Sequence, residues 1–401
     1  MNNAFVVRTA VERAAYSFDK CFDYAVPEPL RSQCAAGKRV LVPFGRGNTR
    51  RMGIITEITE SNNDSLKEII AVLDKEPVLT PELLKVAVFM KEHYFCTLYD
   101  AVKTMLPAGI NYKVTTVYGV KGSDEDLELS GEEQRLYDYL HKKRRAVRLE
   151  KLLDDFGLSD SRLPDAMAEK GLLYRSDEAF RRVSDAVMKM AAIPPEVDIS
   201  SAKLTDKQRS VLELVAAGGA ASVKEIRYFT GVSASVIDTL YQRGLLYFFD
   251  EEVFRIDSRH SDETLPPLTL SPEQQTACDN LYLDYKDEKP RVGLLFGVTG
   301  SGKTSVFIKL IERVLGDGRG VIVMVPEISL TPQFVSQFSK RFGDKIAVFH
   351  SALSLGERLD EYKRVKKGLA QIVIGTRSAV FAPFDSLGLI IMDEEQEYSY
   401  K

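Results

Sequence analysis

The stretch GVTGSGKT, from Gly297 to Thr304, has the residues of a phosphate cradle. Gly297, Gly300 and Gly302, with Ser301 between them, let the backbone curl so that its N–H groups point inward onto phosphate. Lys303 then neutralises the β- and γ-phosphates, and Thr304 offers a hydroxyl to magnesium. A helix following directly would add the positive end of its dipole. Far downstream, LIIMDEEQ is an apolar run that delivers Asp393 and Glu394. At the end of a strand, Asp393 reaches magnesium through water, while Glu394 orients or deprotonates the attacking water. Glu395 and Glu397 read as solvated. The two motifs together describe a magnesium-dependent nucleotide hydrolase. Cys21, Cys34, Cys96 and Cys278 are scattered without a C-x-x-C pair, so the chain spells neither a disulfide framework nor a zinc knuckle. The four histidines show no metal-ligand grouping, and His350 reads as a structural hydrogen-bonding residue.

These side chains need a scaffold that brings distant loops together. From 268 to 401 the apolar runs RVGLLFG, GVIVMVP, KIAVFHS, QIVIGT and LGLIIMD alternate with helical stretches, which predicts a parallel sheet covered on both faces. The helix over LSPEQQTACDNLYLDY starts with Ser271 at the cap, Pro272 in the first turn and Gln274 placed for a capping box. Upstream, two stretches resemble each other, one within 123–195 and one within 202–258. Each predicts a capped helix, a short helix, a turn, a third helix and then KGLL or RGLL entering a strand, the layout of a winged helix. The run HKKRR, His141 to Arg145, is a candidate phosphate contact, although no basic recognition helix stands out. The acidic stretch KGSDEDLELS and the proline-bearing AAIPPEVDIS and DETLPPLTL read as linkers.

Residues 1–112 alternate in the strand manner over AFVVRTAV, FDYAVP, KRVLVPF, GIITEI and KEIIAVL, predicting a small β-rich domain. The turn GRGNTRR carries Arg46, Arg50 and Arg51 toward a hairpin tip, where they could meet DNA or only water. From Thr80 and Pro81 the pattern becomes helical as far as Pro107. The fold class expected is therefore multidomain α/β, with a β-rich domain, two winged-helix-like modules and a RecA-like parallel lobe. At 401 residues the chain is long for one core, which agrees with several domains. A formal net charge of −4 excludes coating nucleic acid by charge alone, so DNA contact must come from local patches. No apolar run is long enough to span a membrane and the start lacks a signal-peptide pattern, which makes the cytoplasm the default compartment and a membrane partner unexpected.

FDYAVP, GKRVLVPFG, RMGIITEI and HYFCTLYDAVKTMLPAG, followed by GVTGSGKT, VPEISLT, HSALSLGER, IGTRSAVFAP and DEEQ, resemble the primosomal replication-restart helicases of superfamily 2 along most of the chain. The resemblance implies an ATP-dependent 3′→5′ DNA helicase that rebuilds abandoned forks. It implies that the opening domain reads the 3′ end of the nascent leading strand, with Phe22, Asp23 and Tyr24 forming or supporting the pocket. An aromatic ring to stack on and a carboxylate to hydrogen-bond suit a strand end, although Phe22 and Tyr24 share a strand face and could equally be core. By the same resemblance Gln275, or its neighbour Gln274, senses the adenine, and Thr331, Thr376, Arg377 and Ser378 contact DNA phosphates.

Two departures stand out. Gln396 occupies the place where the family usually has histidine, which touches coupling between nucleotide and DNA more than binding. The family's structural zinc region, second RecA-like lobe with its arginine finger and C-terminal domain have no residues here. The expectation is a front portion that binds ATP and forked or branched DNA without unwinding it alone, together with primosome proteins and single-stranded DNA-binding protein as family partners. The alternatives are a non-catalytic branched-DNA or primosome-binding fragment, and another superfamily 2 translocase.

Overall fold

The computed structural model describes residues 4–400 apart from 15, 17–18, 64, 108–109, 111, 122–128, 182–184, 198, 200–201, 256–265, 288 and 299. The linkers read at 121–130, 191–200 and 262–270 lie partly outside the described residues. No helix among the described residues is long and apolar enough to cross a membrane.

Five strands open the chain: β1 (Ala4–Val11), β2 (Phe22–Ala25), β3 (Arg39–Phe44), β4 (Thr49–Ser61) and β5 (Ala71–Val72). They form an antiparallel sheet in the order β2-β1-β4-β3-β5. Strand alternation gives this sheet two apolar faces. One buries Val7, Tyr24, Val40, Val42 and Ile55. The other sets Ala10, Met52 and Ile54 against helices α1 (Pro81–His93) and α2 (Leu98–Met105). As the sequence predicts, Thr80 caps α1 by accepting from the Leu83 N–H, with Pro81 in the first turn.

Two units of the same construction follow. The first comprises β6 (Tyr112–Val120), α3 (Gly131–Lys143), β7 (Val147–Arg148), α4 (Leu149–Phe156), α5 (Arg162–Glu169) and β8 (Leu173–Arg181), with sheet order β7-β6-β8. The second comprises β9 (Val187–Ala192), α6 (Asp206–Gly218), β10 (Ala220–Ser222), α7 (Val223–Thr230), α8 (Ala234–Gln242) and β11 (Tyr247–Glu252), with order β10-β9-β11. Each unit thus starts one strand earlier than its helical pattern suggests. β9, read from sequence with the first stretch, pairs with β10 and β11 because the second sheet needs a central strand. Residues 184–257 form one compact unit, and 1–183 with 258–401 form the other.

The last part contains α9 (Pro272–Lys286), α10 (Lys303–Gly316), β12 (Gly320–Met324), α11 (Pro332–Phe342), β13 (Ile346–Phe349), α12 (Leu355–Lys366), β14 (Ile372–Gly375) and β15 (Leu387–Met392). The four strands make a parallel sheet in the order β13-β14-β12-β15, consistent with a RecA-like lobe. Val321 and Val323 of β12 face one core with α10 and α11, while Ile322 and Met324 face the other. One expected strand is missing. RVGLLFG joins no ladder: Leu295 packs inward beside Leu389, while Leu294 (75 % exposed) and Phe296 (91 % exposed) face out. Its composition suits a strand, but a strand exists only where a neighbouring edge accepts its backbone hydrogen bonds. Among the described residues β15 pairs with β12 alone, at the edge of the sheet.

Candidate nucleotide and nucleic-acid sites

The phosphate-cradle residues sit where the sheet delivers them. α10 begins at Lys303 directly after Gly302, and Gly300 and Gly302 take the left-handed backbone (φ +81° and +82°) that side chains disfavour. Thr304 follows in the first turn of α10. The Lys303 ammonium donates to the Gly297 carbonyl at 2.8 Å and to that of Val298 at 3.3 Å, lying across the loop. Gln274, whose backbone completes the Ser271 capping box, donates from Nε2 to the Ser301 carbonyl at 2.9 Å. A Cβ on Gly302 would displace that same amide, the mobile end of a long side chain, so it is the φ that calls for glycine here. Gln275 turns elsewhere, giving its amide to the Asp279 carboxylate at 2.9 Å. Of the two glutamines weighed from sequence, Gln274 touches the loop; adjacent helical residues point about 100° apart.

Asp393 follows β15, and its N–H donates to the Met324 carbonyl at 2.9 Å. Burial, then the neighbouring Glu394, pushes its carboxyl above the ordinary range, while Lys303 pulls the other way. Glu394 adopts a left-handed backbone (φ +51°), an uncommon state for a non-glycine residue that gathers at functional turns. The Gln396 amide donates to the Glu394 carboxylate, and Tyr400 Oη donates to the Asp393 carbonyl at 2.9 Å. These two contacts define the turn; sequence reasoning missed Tyr400, which no motif marks. The donor set fits magnesium. Thr304 and Asp393 are hard oxygen ligands, and Mg²⁺ takes one or two such groups with water and substrate phosphates, so no all-protein cage is required. Among the described residues no three His, Cys, Asp or Glu side chains form such a cage.

The loops leaving β12, β14 and β15 all lie at the carboxyl ends of parallel strands, where open α/β sheets bind ligands. Val325, Glu327, Thr376, Arg377 and Tyr400 line one cleft there. Thr376 is buried, whereas Arg377 and Ser378 are exposed in the 3₁₀ turn Arg377–Phe381. Thr331 caps α11 by accepting from the Phe334 N–H at 3.2 Å, and it lines a second cleft with Val335, Val348, His350 and Leu353.

In the β-rich domain, β2 splits its residues between faces. Tyr24 is core, 4 % exposed, with Oη donating to the Pro43 carbonyl at 3.3 Å; burial pushes its phenol up to about 12. Its ring therefore supports the edge from within. Phe22 is half-buried, meets Phe44 edge-on at 5.1 Å between centroids and has the Lys20 ammonium over its ring. Asp23 faces the other way and accepts from Arg8 Nε at 3.0 Å, while Arg8 also reaches Glu57 at 3.0 Å. Arg46 is exposed in the β3–β4 turn and Arg50 half-buried on β4. Arg51 is structural, donating to the carbonyls of Glu12 and Arg13. Lys67, which no pattern singled out, donates to the Gly45 carbonyl at 2.7 Å, while its own carbonyl accepts from Ala25, joining the hairpin turn to the end of β2.

Residues 9–107 match the domain family described as the 3′ DNA-binding domain, and residues 271–401 match the DEAD/DEAH box helicase family. The replication restart protein PriA of Bacillus subtilis (strain 168) is 33% identical over 420 positions, covering 100% of this chain and 50% of that protein. The PriA of Synechocystis sp. is 33% identical over 95% of this chain and 46% of its own length. That of Haemophilus influenzae is 29% identical over 99% and 45%. The chain spans about half the length of the curated relatives it matches.

Proposed function

Because the chain belongs to the replication restart protein PriA family, we propose that it supplies the fork-recognising and ATP-binding parts of an ATP-dependent 3′→5′ DNA helicase that restarts replication. The β-rich domain takes the 3′ end of a strand at the Phe22–Asp23 edge. The two repeated units are winged helices, of which the first docks duplex DNA through its basic turn. Primosome proteins and single-stranded DNA-binding protein are partners, and the compartment is the cytoplasm.

In the nucleotide site, the backbone N–H groups of Gly300 to Lys303 receive phosphate oxygens, and Lys303 exchanges the Gly297 carbonyl for them. Thr304 and Asp393 hold magnesium, which when bound spreads the charge developing on the transferred phosphoryl group. Glu394 orients the attacking water and accepts its proton. Thr331, Thr376, Arg377 and Ser378 track the DNA backbone along the carboxyl edge of the sheet. The observation that carries this reading is the turn into α10, in which Gly300 and Gly302 take the left-handed backbone and the helix starts at Lys303.

The test is nucleotide binding and turnover with and without forked DNA, in this chain and in Lys303→Ala. Nucleotide affinity should fall by at least tenfold in the variant. Equal affinity would exclude the cradle, and binding of forks without Lys303-dependent turnover would favour a non-catalytic recognition module. Oligonucleotides with a free or phosphate-blocked 3′ end test the strand-end site, which requires tighter binding of the free end.

A further inference from the structure

Leu359 and Tyr362 of α12 are buried (0 % and 2 % exposed), yet they belong to the core cluster of the β-rich domain, with Val78, Leu79, Leu83 and Ala87. Tyr362 Oη donates to the Val78 carbonyl across 284 residues of sequence. The opposite side of α12 is fastened to the parallel sheet. The Glu361 carboxylate accepts from the Val348 N–H at 3.0 Å, Arg364 donates to the Ile346 carbonyl at 3.0 Å, and Val365 packs in the sheet's own core. Val348 in turn lines the cleft containing Thr331 and His350. A single helix thus touches the sheet that carries the candidate DNA-backbone loops and the domain that carries the candidate strand-end edge.

The covalent route between those two parts runs through both repeated units. A tether that long confers little effective concentration on its ends, because that quantity falls roughly as the −3/2 power of length or more steeply. From this the geometry points to α12 as a bracket. Tyr362 and Leu359 are positioning residues that hold the strand-end site at a fixed offset from the lobe's phosphate track, so that a fork engages both sites in one binding event. A bare strand, which needs only the strand-end site, gains nothing from the bracket. This inference rests on the proposed assignment of both sites to DNA.

The experiment compares Tyr362→Ala, Tyr362→Phe and Leu359→Ala with the unsubstituted chain on two probes, a forked duplex and a bare single strand with the same 3′ end, free or phosphate-blocked. Tyr362→Ala should lose roughly tenfold in fork affinity, Leu359→Ala less and Tyr362→Phe least. The free-to-blocked ratio on the bare strand should stay unchanged, a split that general destabilisation would not produce. Spin labels placed by non-cysteine chemistry at exposed Lys85 and Asn280 report the offset directly. The distance distribution should be narrow in the unsubstituted chain and broad in Tyr362→Ala. Should that variant fail to fold, Tyr362→Phe and Leu359→Ala carry the same comparison. An unchanged distribution, or fork affinity that survives a broadened one, overturns the bracket. Absence of end discrimination in the unsubstituted chain overturns the strand-end reading instead, while the labels still decide whether α12 fixes the domains.

Discussion

The first and second repeated units share nearly every structural device and differ in what they put on the outside. α3 and α6 are both 13 residues long and both start from a capping box. α4 and α7 are both 8 residues long and stop at a left-handed glycine, Gly157 and Gly231. Glycines in the same conformation, Gly171 and Gly244, precede the last strand of each. At the end of the first helix the units part. α3 closes on Lys142, Lys143 and Arg144, with Arg145 next, all exposed, whereas α6 closes on Ala216, Ala217, Gly218 and Gly219. Gly219 takes its positive φ of 74° freely, but Arg144 holds φ at 51°, a state that costs a side chain about 1–2 kcal/mol. The comparison teaches that the fold tolerates a neutral turn here. The cations of the first unit are therefore additions that the shared fold does not require, although Lys143 lies over the Tyr139 ring at 5.3 Å.

The sharpest way to break this contrast is to remove the charges. Replacing Lys142, Lys143, Arg144 and Arg145 with glutamine should weaken binding to a fork's duplex arm on the order of 10²-fold at low salt and flatten its salt dependence. Substituting Lys203, Lys207 and Arg209 of the second unit should change it far less. Fluorescence anisotropy against salt concentration measures both, and equal losses would erase the distinction. Next in size are the caps. Ser130→Ala and Thr205→Ala should each destabilise their own unit by about 1 kcal/mol, read as matching drops in hydrogen-exchange protection confined to α3 or α6. Arg144→Gly should raise stability by slightly less than that, since glycine relieves the strain but loosens the unfolded chain. A denaturation midpoint that falls would show that Arg144 is not strained.

The smallest effect separates the units by pH. Glu133, at the third position of α3, accepts from Lys170 at 2.6 Å and from the Ser130 N–H, which lowers its carboxyl from 4.5 to about 2. A depressed carboxyl contributes stability that is present above its unfolded value and is lost as pH falls through the folded one. The first unit should therefore lose protection between 4.5 and about 2, with Glu133→Gln removing that part of the slope. The second unit has the non-titrating Gln208 in the same place. Residue-resolved exchange at decreasing pH would show α3 diverging from α6, while α7, whose capping Glu225 is also lowered by its hydrogen bonds with Ser222, has an acid dependence of its own.

Much of this was legible because it is local. The capping box at Ser271, the capped starts of α3 and α6, the turn glycines and the phosphate cradle depend on residues a few positions apart, so spacing alone reveals them. Features decided at long range were not. RVGLLFG has strand composition yet joins no ladder among the described residues, although β15 is an edge strand. LGERLDEYKRVK looks like a solvated charged helix, yet it buries Leu359, Asp360, Glu361 and Tyr362, because two domains cover it. In the strand-end region, alternation correctly put Phe22 and Tyr24 on one face, but the extent to which each is covered depends on Phe44 and Pro43 of another strand.

The second unit interrupts a body whose parts before and after it pack together, 1–183 on one side and 258–401 on the other. In architectural terms it is a guest in a host. Among the described residues it has a core of its own, and the host's core clusters are built from host residues. A chain arranged this way can gain, lose or exchange such a guest without redesigning the contact between α12 and the β-rich domain.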